Sequence, residues 1–157
     1  MKWIVVVAVA ALLGLALLAP LTVAHDEEDD DKFKGKFKGD LTMATPEGPP
    51  FGGADVGSFK IKWKGNELEI EVEVDISAPS GYVLEGWLVD PPPRGGTGYK
   101  LSLGLVEDGE LEFEQTLVNP FTYSFLVITM EPIGDPNPNA GPPVAGADLG
   151  FDPFGQN

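Results

Sequence analysis

Few residues in this chain have the type and spacing that reaction chemistry asks for. There is no cysteine and one histidine, which excludes disulfide scaffolds, thiolate metal sites and cysteine nucleophiles, and any centre built on two imidazoles. His25 alone could serve a Ser/His/Asp triad. Exposed as a new amino terminus, it could also offer an amine–imidazole pair to copper, but a stable copper site wants further nitrogen ligands. The run Asp26 to Asp31 is acidic, yet it lacks the spaced ligands and fixing glycine of a calcium loop, so it reads as a solvated linker. Glu85 and Glu131 are of the type that pairs in glycoside hydrolysis, but nothing in the sequence sets two carboxyls across a cleft. Gly95-Gly96-Thr97-Gly98 lacks both the lysine and the following helix of a phosphate-cradling loop.

One carboxylate invites a closer reading. Glu85 interrupts the otherwise apolar run Tyr82 to Val89, and a buried carboxylate needs a partner. Arg94, the only arginine in the chain, is the candidate. Trp87 lies on the same run. Glu85, Arg94 and Trp87 are therefore the residues expected to bind a partner or to form a buried polar cluster, while Trp63 reads as core rather than as a sugar platform. A net charge of −15 opposes binding to nucleic acid, whose affinity comes from counterions released against Lys and Arg. The expectation is a protein without catalysis, cofactor or metal, whose partner is an unidentified protein or envelope component, or a second copy of itself.

The elements that would carry these residues follow a delivery segment. Met1 to Ala24 has one charge, Lys2, then an apolar run, then Thr22-Val23-Ala24 with small residues where a signal peptidase reads, which is the pattern of a secretory signal. Ile4 to Val23 also reaches the ~20 residues that a retained anchor needs. Both outcomes place the remainder outside, because Lys2 stays on the cytoplasmic side. The expected organisation is 1–24 signal peptide or anchor helix, 25–31 acidic disordered linker, 32–132 folded domain and 133–157 Pro/Gly-rich tail.

The folded part is written in period two. Phe33, Gly35, Phe37, Gly39, Leu41 and Met43 alternate with lysines and Asp40. Phe59, Ile61 and Trp63 alternate with Lys60, Lys62 and Lys64. Leu68, Ile70, Val72, Val74 and Ile76 alternate with Glu67, Glu69, Glu71, Glu73 and Asp75. A helix would smear such residues around its cylinder, whereas a strand sorts them to two faces. With Gly65-Asn66 as a two-residue turn, Lys64 faces Glu67, Lys62 faces Glu69 and Lys60 faces Glu71, while Trp63 meets Leu68, Ile61 meets Ile70 and Phe59 meets Val72. A slip of one residue would destroy both sets of matches.

Pro79-Ser80-Gly81 predicts a turn. Tyr82 to Val89 and Tyr123 to Met130 are apolar on both sides, as central strands are. Between them, a hairpin from Tyr99 to Val118 is expected to close through a three-residue loop, Glu107-Asp108-Gly109, because that pairs Leu105 with Leu111 and Leu103 with Phe113. Beyond Pro132 the prolines predict a stretch that adds no ladder. At least seven strands at this spacing predict an all-β, antiparallel immunoglobulin-like β-sandwich.

Three stretches carry a resemblance. Tyr82-Val83-Leu84-Glu85-Gly86-Trp87-Leu88-Val89-Asp90 is similar to a strand of the extracytoplasmic C-terminal domain of anti-sigma-K factors. So are Leu101-Ser102-Leu103-Gly104-Leu105 with the acidic Gly turn after it, and Phe125 to Pro132 with Gly141-Pro142-Pro143-Val144-Ala145-Gly146 closing the order. The resemblance spans Gly53 to Leu149 and implies a β-sandwich sensor or binding domain outside the membrane. Only Met1-Lys2-Trp3 precede the apolar run, so the family's cytoplasmic sigma-binding part has no counterpart here, and control of transcription is not implied. The rival expectation is a structural subunit of a surface filament, assembling by lending the strand Phe33 to Met43 to a neighbour's sheet edge.

Overall fold

The computed structural model describes residues 34–46, 51–91, 98, 100–117, 123–137 and 139–150. The expected signal helix, the acidic linker and Arg94 lie outside them. Within them are eight strands: β1 (Lys34–Met43), β2 (Asp55–Lys64), β3 (Glu67–Val74), β4 (Tyr82–Val89), β5 (Lys100–Leu105), β6 (Glu110–Thr116), β7 (Phe125–Pro132) and β8 (Pro143–Asp148). All pair antiparallel in one sheet of order β5-β4-β7-β8-β1-β2-β3-β6. No helix among the described residues is long and apolar enough to cross a membrane.

The β2–β3 hairpin takes the register its charges require. Lys64, Lys62 and Lys60 stand opposite Glu67, Glu69 and Glu71, and Trp63, Ile61 and Phe59 opposite Leu68, Ile70 and Val72. Its turn has a positive φ at Gly65 alone (57°), as a type II′ turn with glycine first demands. β1 lies beside β2 with Gly35 opposite Trp63, Phe37 opposite Ile61 and Gly39 opposite Phe59. The two glycines are there for the aromatics: a Cβ on Gly35 would come within 2.2 Å of the Trp63 ring, and one on Gly39 within 2.9 Å of Phe59. Phe37 stands between, edge-on to Phe59 at 5.6 Å and to Trp63 at 6.2 Å between ring centroids.

The sheet is two four-stranded halves, β5-β4-β7-β8 and β1-β2-β3-β6. Among the described residues the β1–β8 ladder joins them by two pairs, Thr42 with Gly146 and Met43 with Ala145, and the Ala44 amide donates to Val144 O just beyond. Their inner faces meet in one core, with Ile61, Leu68 and Ile70 from one half and Leu88, Leu126 and Ile128 from the other. Leu111 of β6 reaches across to β4, where a Cβ on Gly86 would lie 2.6 Å from its Cδ1. The sheet thus curls toward a barrel, and the chain passes from one end strand to the other through the turn closed by the bridge between Glu107 and Glu110.

Two sequence expectations are corrected. The hairpin from Tyr99 to Val118 does not form a ladder: β5 pairs β4, and β6 pairs β3. Its turn has two residues, not three. Glu107 and Glu110 exchange both backbone hydrogen bonds (2.8 and 2.9 Å), around Asp108 and Gly109 at φ 53° and 87°, a type I′ geometry. A two-residue turn would set Leu103 opposite Glu114 and Leu105 opposite Glu112, poor partners that never face one another here because the strands diverge to opposite ends of the sheet. The Pro-rich tail is also not without a ladder. β8 pairs β7 from Pro143 to Asp148 and touches β1, so the sheet extends beyond residue 132. Pro143 sits at the strand's first position, where the missing N–H is tolerated. Ala145 and Ala147 are small enough to be buried against the core.

Candidate functional site

β4 and β7 are central strands, each paired on both edges, and both their faces are covered. Leu84, Leu88, Leu126 and Ile128 point into the main core. On the opposite face Trp87, Phe125 and Val127 form a second apolar cluster, onto which Phe51, Val89 and Ala140 pack. Phe51 comes from the loop after β1. It lies edge-on to Phe125 at 6.3 Å and above Gly146, where a Cβ would meet its ring at 2.5 Å.

Polar groups continue this outer face. Trp87 Nε1 donates to Thr129 Oγ1 at 2.9 Å, the Thr129 hydroxyl donates to Glu131 Oε1, and the same carboxylate oxygen accepts from Gly141 N at 2.6 Å. Thr129 and Glu131 are buried, and every polar atom of theirs that is shut off from water has a partner. Gly141 approaches so closely that a Cβ there would lie 2.8 Å from Glu131 Oε2. The network therefore pins the loop between β7 and β8 to the sheet. Buried hydrogen bonds to a carboxylate are the stronger kind, and leaving such a carboxylate unpaired costs more than a neutral group would.

Glu85 is the cross-strand partner of Thr129, so it shares this face with Trp87 and Glu131. It is half-buried and accepts from Ser102 Oγ of β5. The structure thus brings together two of the three residues singled out in the sequence. Thr129 and Ser102 complete the cluster and were not foreseen. The available signal was positional: Thr129 is the one hydroxyl in the apolar run of β7, two residues before Glu131 and therefore on its face. Trp63 packs against the main core, as its place in the alternation requires. His25 lies outside the described residues.

The second surface is the outer face of β1-β2-β3-β6, and most of its side chains are charged. Lys60 Nζ sits 2.7 and 2.9 Å from the two oxygens of Glu71, and Lys62 bonds Glu69 and, at 2.9 Å, Glu71. The Lys60 and Lys62 ammonium groups hold the Glu71 carboxyl down at about 2. Glu69 and then Glu71 raise Lys62 above its ordinary range. Across β1–β2, however, Lys36 faces Lys62 and Lys38 faces Lys60. Across β3–β6, Glu69 faces Glu114, Glu71 faces Glu112 and Glu73 faces Glu110. Two rows, Lys36-Lys62-Glu69-Glu114 and Lys38-Lys60-Glu71-Glu112, read Lys-Lys-Glu-Glu, so there the face is basic toward β1 and acidic toward β6, whereas the next row is Asp40-Ser58-Glu73-Glu110. No cluster of three or more metal-ligating side chains occurs among the described residues. In comparison with known proteins, the chain matches no family model, no curated protein and no solved structure.

Proposed function

We propose that this chain is a non-enzymatic extracytoplasmic binding module, a sensor-like domain similar to the C-terminal part of anti-sigma-K factors, and that its two half-sheets act as the layers of an immunoglobulin-like sandwich. The observation that carries the reading is the division of labour between the two outer faces. Trp87, Thr129 and Glu131 use their polar atoms on one another and on Gly141. Functionality is offered to the outside instead by an extended, charge-segregated surface, which suits recognition of a partner by complementary potential. The apolar start of the chain supports delivery across a membrane.

The test is lysine-directed crosslinking on intact cells that express the full chain with its own N-terminal segment, followed by fractionation and mass measurement. Adducts of Lys36, Lys38 or Lys60 to an envelope component are expected. Recovery of the protein in the cytosol would overturn the reading. So would a glycan-hydrolysing activity abolished by Glu85→Gln or Glu131→Gln.

A second reading, a filament subunit that lends β1 to a neighbour, is favoured by one observation: among the described residues, the edge of β1 away from β2 is paired only at its end, through Thr42 and Met43 and the following Ala44 amide. Asp40 and Ser58 are cross-strand partners, and the chain has no native cysteine. Asp40→Cys with Ser58→Cys would therefore staple β1 to its own sheet. Assembly that disappears when the staple is oxidised supports strand lending; assembly that persists rules it out.

A further inference from the structure

We propose that the β1 edge of one copy of this chain recognises the β6 edge of a second copy, with β1 kept in its own sheet, so that the protein associates head to tail. The inference goes beyond the binding reading and needs no other partner. Three observations converge on it.

β6 ends the sheet, its outer edge bridged at Glu110 by Glu107, and β1 has a strand on its second edge only at Thr42 and Met43 among the described residues. Edge strands present backbone donors and acceptors to any chain that can lie beside them. Next, the charge rows are unbalanced where the edges are. Inside the half-sheet each lysine of β2 faces a glutamate of β3, but the columns on β1 and β6 face their own sign, Lys36 on Lys62 and Glu114 on Glu69. Like charges directly opposite are unfavourable, and a column of opposite sign on the outer side relieves them.

The third observation is geometric. β1 pairs β2, β2 pairs β3 and β3 pairs β6, all antiparallel, so β6 runs opposite to β1. A copy shifted sideways along its own rows, with only the twist of the sheet added, therefore places its β1 antiparallel to the first copy's β6. The row order is kept: Glu114 then meets Lys36 of the next copy and Glu112 meets Lys38, so in these two rows the pattern Lys-Lys-Glu-Glu repeats, while the same register sets Glu110 against Asp40 as the one like-signed pair. The two symmetric alternatives, β1 on β1 and β6 on β6, set lysine on lysine or glutamate on glutamate and are excluded by the same charges. An interface between different edges does not close on itself by a twofold axis, so the expected product is an open row.

Sedimentation of the full chain, expressed with its own N-terminal segment, tests this at ~0.01 M and ~1 M salt, where screening lengths are about 30 and 3 Å. Species larger than a dimer that grow with protein concentration at low salt and fall back to monomer at high salt are expected. Two charge-reversed forms, Lys36→Glu with Lys38→Glu and Glu112→Lys with Glu114→Lys, should each stay monomeric, because each then carries the same sign on both edges. An equimolar mixture of the two should assemble again, since every edge of one then complements an edge of the other. Far-ultraviolet circular dichroism of each form checks that the sheet is intact; if either fails to fold, the four-fold reversal in one chain, which restores complementarity, replaces the mixture and should assemble alone. A monomer at every concentration in low salt overturns the proposal, as does assembly that survives either reversal or a charge-complementary sample that stays monomeric.

Discussion

Thr129 is the residue on which the outer face of β4–β7 turns. Its hydroxyl accepts from Trp87 and donates to Glu131, which in turn holds the Gly141 amide. Thr129→Val keeps the shape and removes the hydroxyl, leaving a buried indole N–H without its acceptor and a buried carboxylate short of a donor. The expected loss is about 1–3 kcal/mol in urea unfolding, with faster hydrogen exchange at Gly141; Thr129→Ser should restore most of both. Gly35 is the complementary case, a residue defined by what it lacks. With 2.2 Å between its Cβ position and the Trp63 ring, Gly35→Ala must push the indole aside, and overpacking of this kind costs about 1–3 kcal/mol. Near-ultraviolet circular dichroism should report the displaced tryptophan.

At the scale of the element, the β2–β3 hairpin joins stability to pH. The Glu71 carboxyl is lowered from its ordinary 4.5 to about 2. A depressed carboxyl contributes stability above its unfolded value and loses it as pH falls through the folded one. The contribution of Glu71 is thus complete above about pH 4.5 and gone below about 2. Lys62 is raised above 10.5, so its contribution is complete below that value and is lost as pH rises through the raised one. Unfolding curves of Glu71→Gln against the parent between pH 5 and 2 should converge as the acid removes what the substitution has already removed. The groups are exposed, with two-fifths of the Lys60 and Glu71 side-chain surface open to solvent, so ~1 M salt should shrink the difference. The hairpin was legible from its residues because each strand sorts its own side chains, and a single register satisfies both faces. The turn at Asp108-Gly109 was not, since its apparent mismatches count only if β5 and β6 stay together after it.

For the whole molecule, the informative contact is the one between strands that are not neighbours in the sheet. Gly86 of β4 leaves room for Leu111 of β6. Gly86→Ala should destabilise by about 1–3 kcal/mol. Leu111→Ala should cost about 2–5 kcal/mol through the cavity it leaves. Together they should cost less than their sum by about 0.5–3 kcal/mol, because the shortened Leu111 makes room for the new methyl. Strict additivity would mean that the two halves do not press on each other there.

Alternation, turn chemistry and continuous apolar runs were written in the residues themselves, and they determined strand type, strand faces, the β2–β3 register and the central place of β4 and β7. Those properties depend on neighbours within one or two strands. The partners of β5 and β6, the entry of β8 (Pro143–Asp148) into the sheet, and the meeting of Trp87 with Thr129, forty-two positions away, were decided only by tertiary structure. Each is a choice among edges and faces of similar chemistry, and what selects among them is the filling of one shared core from both halves at once.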